Sequence, residues 1–388
     1  MNPLVKLGRL AQRAALLGFA LTLSACAWFG RGEPDPPPLP ATVGGVSPRL
    51  AWSVAVGPGG VGLRPAVAGN GVYAAATDGT VVRIDAATGR VVWRVSVGAG
   101  LSAGASSDGE QVVVAGRDGE VIAIDANDGR VRWRVPVGPE LLSPPVIGFG
   151  VVVVRAGERI VALEAQGGQQ RWVWSRPLPA LVLRQPAPVA LASVAAAGQN
   201  LAFAGLPGGR LVALSLDKGA VRWEAPVTQA RGTNEIERIA DVLGQPWVDG
   251  REVCAAAYQG RIACQDAASG APLWSRDLSA WSGLNLDARY AFAPDDRGNL
   301  YAVRRPGGEL AWRSEALAMR RLSQPLSMGA SVLVGDRAGT VHWFARETGA
   351  PQARRAIDAG PILAPLVAAG NLAIAQTVGG SVVAFATD

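Results

Sequence analysis

Lysine, histidine and cysteine are scarce in this chain of 388 residues. It contains two lysines, Lys6 and Lys218, one histidine, His342, and three cysteines. Protein surfaces that follow a nucleic-acid backbone cluster Lys and Arg and interleave them with aromatic residues. No run of that kind is present, so the sequence argues against nucleic-acid binding.

The signatures of common catalytic sites are missing as well. There is no Gly-x-Ser-x-Gly elbow, no Cys-x-x-Cys and no phosphate-binding Gly-rich loop that opens a helix. His342 lies in a predicted strand beside Trp343, and a base or a metal ligand is one interpretation of it. Because no second candidate ligand is near it in the sequence, a structural role is favoured. We therefore predict no enzymatic activity, no cofactor and no metal site.

Charge is also low, whereas residues that make turns are abundant. Asp, Glu, Lys and Arg make up 18% of the chain, which has 49 glycines and 27 prolines. Nearly a fifth of the residues therefore favour turns over long helices. The 12 tryptophans outnumber the seven phenylalanines and the four tyrosines. This composition excludes a helix-rich fold and a highly charged disordered chain.

Residues 1–25 have the pattern of a bacterial export signal. A basic region with Lys6, Arg9 and Arg13 precedes an apolar stretch that is too short to span a membrane as a mature helix. The Leu-Ser-Ala-Cys that ends at Cys26 resembles a lipobox, in which the cysteine thiol accepts diacylglycerol. We predict cleavage before Cys26 and lipid attachment to it; an ordinary cleaved signal with a chance cysteine is the alternative.

The residues that follow Cys26 predict an anchor and a tether. Several acyl chains anchor a protein stably, and Ala27 stands where Asp would favour the inner membrane. We therefore expect the protein at the outer membrane of a Gram-negative bacterium, facing the periplasm. Residues 26–48 form a lipidated N-terminus and a Pro-rich segment, which predicts an extended tether. The folded domain is expected to span residues 49–388.

One pattern recurs through residues 49–388: a glycine, a short apolar strand, and then Asp, Gly and Trp at intervals of four residues. Its clearest copy runs from Asp78 to Trp93. The tryptophan position is filled by Trp52, Trp93, Trp133, Trp172, Trp223, Trp274, Trp312 and, in the last copy, Ala353. Each unit has about 42 residues and four predicted strands, which is typical of propeller blades.

The sequence thus predicts an all-β fold, an eight-bladed β-propeller with four-stranded antiparallel blades. The last unit lacks its fourth strand, and residues 49–56 supply one at the other end of the chain, which would remove an open sheet edge. Repeated Asp-Gly pairs fit hairpin turns, and Asp85 fits a turn cap. The tryptophans are expected to pack between blades and to donate to a carbonyl; a ligand cage is the alternative.

Residues 84–93, with Asp85, Thr88, Gly89 and Trp93, resemble the repeat of quinoprotein-type propellers. Together with the lipobox, the length and the eight units, residues 49–388 resemble the BamB family of the outer-membrane β-barrel assembly machinery. The resemblance implies a non-catalytic scaffold that binds the barrel-forming subunit BamA and assists the insertion of β-barrel proteins. It leaves direct binding of nascent outer-membrane proteins open.

A periplasmic quinone-dependent dehydrogenase is the alternative function. Such an enzyme needs a Ca²⁺ site of clustered oxygen ligands and a carboxylate base near the quinone. The aspartates of this chain lie mainly at repeat positions, where turn capping already explains them. The scaffold interpretation is therefore favoured, and a bound quinone with Ca²⁺ would distinguish the enzyme.

Two units of 51 residues, about ten longer than the others, contain the segments in which the resemblance places partner contacts. Residues 178–184 resemble a loop with a Leu-x-Leu-Arg signature, which implies contacts from Leu181, Leu183 and Arg184. Extra loop length on a rigid scaffold is where binding residues concentrate. Leucines that merely plug a blade are the alternative.

The second such segment spans residues 233–242. It resembles the family's Glu-Ile-acidic-Arg-Leu-x-Asp-Val loop, which implies a contact from Asp241. Leu243 stands where the family often has a second Asp, so the acidic part of this contact departs from the family pattern.

Cys254 and Cys264 flank a predicted turn in the fifth blade. A three-residue loop at residues 258–260 would place the two cysteines opposite each other, and an oxidising periplasm permits a disulfide. A two-residue turn would instead pair Cys254 with Gln265 and leave two buried thiols. We predict the disulfide and keep the pair of thiols as the alternative.

Overall fold

The structure is a computed structural model that describes residues 35–139, 141–176, 187–229, 240–357 and 360–387. Its compact unit, Leu39–Asp388, is built from β-strands in eight sheets, with one short 3-10 helix at Ala195–Ala197 in the described ranges. None of the helices in these ranges has the length and apolarity needed to cross a membrane. The predicted eight-bladed, four-stranded antiparallel propeller is confirmed.

The strands follow one another in the order of the repeats. Two strands precede blade one: β1 (Arg49–Ala55) and β2 (Gly62–Leu63). Blade one contains β3 (Ala66–Ala68), β4 (Gly71–Ala75), β5 (Thr80–Asp85) and β6 (Val91–Ser96), and blade two β7 (Leu101–Ser107), β8 (Gln111–Gly116), β9 (Glu120–Asp125) and β10 (Val131–Pro136). Blade three contains β11 (Val146–Gly148), β12 (Val151–Ala156), β13 (Arg159–Glu164) and β14 (Gln170–Ser175), and blade four β15 (Ala190–Val194), β16 (Gln199–Leu206), β17 (Arg210–Ser215) and β18 (Val221–Pro226).

The second half of the ring repeats this arrangement. Blade five contains β19 (Val242–Asp249), β20 (Glu252–Ala257), β21 (Arg261–Asp266) and β22 (Pro272–Asp277), and blade six β23 (Asn285–Leu286), β24 (Tyr290–Pro294), β25 (Leu300–Arg304) and β26 (Leu310–Ser314). Blade seven contains β27 (Leu326–Met328), β28 (Ser331–Gly335), β29 (Thr340–Ala345) and β30 (Pro351–Ala356). Blade eight contains β31 (Val367–Ala369), β32 (Leu372–Gln376) and β33 (Ser381–Ala386).

The N-terminal strand closes blade eight, as the sequence predicts. Strand β1 pairs antiparallel with β33, from Arg49 opposite Ala386 to Ala55 opposite Ser381. Trp52 on β1 is buried and packs into the apolar layer between blades eight and one. Blade two carries one strand that the sequence does not predict, because β2 adds to β7 in parallel.

The repeated tryptophans join neighbouring blades, and the repeated glycines make room for them. Six indole N–H groups donate to a carbonyl of the next blade at 2.8–3.0 Å: Trp52 to Ala86, Trp93 to Ala126, Trp133 to Ala165, Trp172 to Leu216, Trp223 to Ala267 and Trp312 to Arg346. Each indole lies against the glycine that ends the corresponding turn of the next blade; a Cβ on Gly270, for example, would lie 2.7 Å from Trp223. The predicted packing role is confirmed for these six.

Trp274 departs from this pattern. Its indole nitrogen is buried and has no hydrogen-bond partner among the residues that the structure describes. The corresponding turn of blade six carries Arg305 and Pro306, and Arg305 lies at the position whose carbonyl accepts the indole N–H in the other turns. The hydrogen bond is therefore a common feature of the repeat and not a condition for forming a blade.

The repeated aspartates cap the turns between the third and fourth strands. Asp85 accepts hydrogen bonds from the backbone N–H of Thr88 at 3.0 Å and from its hydroxyl at 2.8 Å. The hydroxyl of Thr88, followed by its backbone N–H, holds the pKa of Asp85 below its ordinary value. Asp266 is capped in the same way by Ser269. The predicted structural role of these carboxylates is confirmed.

Residues 39–48, which we name the N-terminal strap, lie against blade seven. Leu39 and Val46 pack against its apolar clusters. Three hydrogen bonds join the strap to β30: Val43 N–H to Pro351 O at 2.9 Å, Arg354 to Pro40 O at 3.1 Å and Arg355 to Pro48 O at 3.1 Å. The sequence predicts a tether up to residue 48, whereas these contacts begin at Leu39; proline carbonyls accept hydrogen bonds although prolines donate none.

Candidate partner-binding face

One face of the propeller carries every connection from the outermost strand of a blade to the innermost strand of the next. This follows from the antiparallel order of four strands, which ends each blade on the side where it began. We name it the connection face. The residues that flank segments 177–186 and 230–239 lie on it, because these segments join blade three to blade four and blade four to blade five. Both segments therefore frame blade four.

The predicted contact residues Leu181, Leu183 and Arg184 lie outside the described residues, as does the predicted lipid-attachment residue, Cys26. Their roles stay predictions. The structure describes the residues that flank segments 177–186 and 230–239, and these residues define the geometry of the face.

A charged cluster holds the first segment at its start. Glu224 receives two hydrogen bonds from Arg176, at 2.7 and 3.2 Å, and a further one from Arg210. Partial burial raises the pKa of Glu224, but the two arginines outweigh it and hold the pKa below its ordinary value. At the other end of the segment, Ala187 N–H donates to Ser143 Oγ at 2.9 Å. Both ends of segment 177–186 are thus fixed to the propeller.

Glu224 is not among the site residues predicted from the sequence, although the sequence contains one signal for it. The residue after the repeat tryptophan is arginine in three units, at Arg94, Arg134 and Arg313, and Glu224 reverses that charge. A single acidic residue among basic repeat positions indicates a local ion-pair partner. The partner residues, Arg176 and Arg210, become apparent only in the fold.

Asp241, the fourth predicted contact residue, is buried, with 2% of its surface exposed. Its backbone carbonyl accepts a hydrogen bond from Tyr258 N–H at 2.9 Å. Its carboxylate lies near the buried guanidinium of Arg155, which donates to Gly205 O. Burial lowers the pKa of Arg155 to about 10, and the charge of Asp241 opposes that shift. In this geometry Asp241 holds the end of segment 230–239 and presents little of itself to a partner.

The two cysteines of blade five lie directly opposite each other on β20 and β21, the register that a three-residue loop predicts. In the structure they are joined as a disulfide. Glu252 lies beside them and is ion-paired with Arg305 at 3.2 Å. These three side chains form the one cluster of potential metal ligands in the described ranges, and disulfide sulfurs do not supply the thiolates that metals bind.

His342 has a hydrogen-bonding role in blade seven. Its Nε2 lies 2.9 Å from Asp336 Oδ2, and both side chains are buried. Asp336 also accepts the backbone N–H of Thr340 at 2.9 Å, across the hairpin between β28 and β29. Among the described residues, no group of three or more potential metal ligands includes His342. The arrangement favours the structural interpretation.

Comparison with known proteins identifies close relatives. The family described as "Outer membrane protein assembly factor BamB" matches residues 43–98, 77–314 and 296–388. A protein of that name from Bordetella pertussis is 41% identical over 381 residues, which cover 97% of each chain. The crystal structure of BamB from Moraxella catarrhalis superposes with a TM-score of 0.78 at 26% identity, over 88% of this chain and 100% of that one.

The fold is shared more widely. A quinohemoprotein alcohol dehydrogenase from Comamonas testosteroni superposes with a TM-score of 0.67 over 87% of this chain and 76% of its own. The sequence identity is 15%. At that level the likeness concerns the propeller alone.

Proposed function

The chain belongs to the BamB family of outer membrane protein assembly factors, and from this premise we propose that it is a non-catalytic scaffold that binds BamA. It assists the assembly and insertion of β-barrel proteins into the outer membrane. The observation that carries the proposal is that the two long connections of the chain frame one blade on one face. A scaffold needs such a rigidly mounted surface and no reacting groups.

The hydrogen bonds of the residues that flank segment 177–186 support its role in binding. Arg176 and Ala187, which flank it, are tied to Glu224 and Ser143. Fixing both ends lowers the conformational entropy that the segment loses when it binds. The residues at both ends of the proposed partner-binding segment are thus fixed before the partner arrives.

The composition of segment 177–186 suits burial against a protein. Leu181 and Leu183 are two residues apart, so an extended backbone presents them on the same side. Burying both side chains contributes about 3–6 kcal/mol before ordering costs. Arg184 adds a planar donor that can pair with a carboxylate or a carbonyl of BamA.

A double substitution tests this contact. Leu181→Ala with Arg184→Ala is expected to abolish co-purification with BamA from detergent-solubilised envelopes, while circular dichroism and the melting temperature stay at the wild-type values. The matched control is Leu310→Ala with Arg313→Ala on β26, which removes an exposed leucine and an exposed arginine from blade six. The control is expected to retain BamA. Retention by the first variant, or loss of BamA by both, contradicts the proposal.

We place the protein at the outer membrane, anchored by lipid on Cys26 and facing the periplasm. The lipobox-like sequence before Cys26 and the absence of Asp at position 27 support this. Cys26→Ala is expected to give soluble periplasmic protein or an uncleaved precursor. A mature-sized, acylated variant in the outer-membrane fraction would contradict the assignment.

The non-catalytic assignment has its own test. Purified protein is expected to show no quinone absorbance between the protein band and the visible range, and no dye-linked alcohol oxidation after addition of Ca²⁺ and quinone. Detection of quinone absorbance or of alcohol oxidation would contradict the scaffold assignment and favour a dehydrogenase.

A further inference from the structure

A small cavity lies on the propeller axis at the connection face. It is lined by residues that lead into the innermost strands of most blades, and its volume is about 50 Å³. Pockets for small-molecule ligands and cofactors have volumes of roughly 300–1,000 Å³, so this cavity is small for a ligand of the size of a quinone. It has room for a group of a few non-hydrogen atoms.

The wall of the cavity contains the guanidinium of Arg64, which has no acidic partner among the described residues. Arg64, between β2 and β3, donates from Nη1 to the side-chain oxygen of Gln245 at 2.9 Å. In the described ranges no carboxylate pairs with it, and burial alone lowers its pKa, to about 10. Arg64 is therefore still a cation at neutral pH. A guanidinium has five N–H donors, and the hydrogen bond to Gln245 uses one of them.

Two neighbours define the polarity of the site. Gln245 donates from its amide nitrogen to Val189 O at 3.0 Å, which directs its oxygen toward Arg64. The hydroxyl of Ser282, also in the cavity wall, is buried and has no hydrogen-bond partner among the described residues. A buried hydroxyl without a partner loses free energy. Among the described residues, the cavity therefore combines a positive charge without a carboxylate partner and a hydroxyl donor without an acceptor.

We propose that this axial cavity binds a carboxylate group. The two oxygens of a carboxylate match the fork of a guanidinium, and such charge-assisted pairs are the strongest hydrogen bonds that arginine makes. Arg64 supplies the charge, and the hydroxyl of Ser282 donates a further hydrogen bond. A carboxylate satisfies both groups within the available volume.

The position of the site relates it to the candidate partner face. Val189 follows segment 177–186 and Gln245 follows segment 230–239, and these two residues are joined by the hydrogen bond that also orients the site. Pro188, next to Val189, and Gln245 both line the cavity, so a bound carboxylate lies beside residues onto which both segments lead. The carboxylate is either that of a small free acid or the C-terminus of a polypeptide, since the two share the same chemistry.

Titration of the purified, full-length mature protein with ¹³C-labelled acetate tests the site, with calorimetry and saturation-transfer NMR as readouts. We expect saturable binding to one site. Arg64→Gln is expected to weaken it at least about tenfold, and Ser282→Ala by a smaller factor. The control, Arg159→Gln, removes a guanidinium that donates to Val137 O outside the cavity and is expected to leave binding unchanged. No partner protein is present, so the outcome is independent of the assembly role.

A second probe distinguishes the two sources of carboxylate. Trialanine with a free C-terminus and its amidated form are titrated in the same way. Binding of the free form alone assigns the site to chain termini, and binding of acetate without the peptide assigns it to small acids. Non-saturable binding of both probes, or equal affinity in the wild type and Arg64→Gln, overturns the proposal. If Arg64→Gln does not fold, equal affinity of the wild type and Ser282→Ala overturns it instead.

Discussion

Alanine in place of Gly270 should destabilise the propeller far more than alanine in place of Gly250. Both glycines have a left-handed backbone, with φ of +74° and +58°. Forcing an L-residue into that region costs about 1–2 kcal/mol at either position. The difference lies in what the new Cβ meets: at Gly270 it would lie 2.7 Å from the indole of Trp223, and at Gly250 nothing lies within 4 Å.

The extra cost at Gly270 can be worked out from these contacts. Trp223 is buried between blades four and five, so its ring has to shift within a packed layer. Overpacking of this kind costs about 1–3 kcal/mol. The shift also breaks the 3.0 Å hydrogen bond from Trp223 to Ala267 O, worth about 1 kcal/mol. The total is about 3–6 kcal/mol for Gly270→Ala against about 1–2 kcal/mol for Gly250→Ala.

Urea unfolding measures both values, read as a shift of the midpoint at unchanged m-value. A third variant identifies the cause: in a Trp223→Leu background, Gly270→Ala should cost little more than Gly250→Ala, because the ring that it strikes is gone. Equal destabilisation by the two glycine variants would refute the packing argument. So would a cost at Gly270 that stays the same when Trp223 is replaced.

Three further predictions concern closure, oxidation and acid. Deletion of residues 49–56 removes β1 and its tryptophan from blade eight and should cost about 3–5 kcal/mol in stability; an unchanged melting temperature would refute the closure. Exported protein analysed by mass spectrometry without reduction should be two hydrogens lighter than its sequence mass, because Cys254 and Cys264 are oxidised, and two free thiols would contradict this. The pKa of Glu224 in the folded state lies below its ordinary value of 4.5, so its stabilising ion pairs act above that pH and are lost as the pH falls through the lower value. Glu224→Gln should therefore remove about 1 kcal/mol of stability at neutral pH and flatten the loss in melting temperature below about pH 4.5. Identical acid profiles of the wild type and the variant would argue against a stabilising role of these ion pairs.

The features that the sequence predicts well are those determined within one repeat. Asp85, Gly89 and Trp93 each act on a turn or on the adjoining blade, and the spacing of the glycine and the tryptophan returns in six units. A local rule that recurs along the chain can be recognised even where single copies are weak. The closure by β1 follows for the same reason, because one strand was missing at one end and left over at the other.

Contacts between distant segments could not be predicted in this way. Arg64 and Gln245 are 181 residues apart and meet only because a ring brings all inner strands to one axis. Asp241 is typical of an exposed contact residue in its sequence, yet the fold buries it near Arg155. Burial of a polar residue depends on which blades flank it, and a repeat pattern contains no information about that.

The N-terminal strap has a mechanical consequence. A pulling force on the chain before Leu39 reaches blade seven first, through the strap's hydrogen bonds to β30, and does not act directly on β1. The strap must peel away before tension reaches the pairing of β1 with β33 that seals the ring. In a protein tethered by its N-terminus, the strap would therefore protect the closure of the ring. Force from lateral movement of the membrane would first break the hydrogen bonds between the strap and β30, which can form again, and the pairing of β1 with β33 would carry no load.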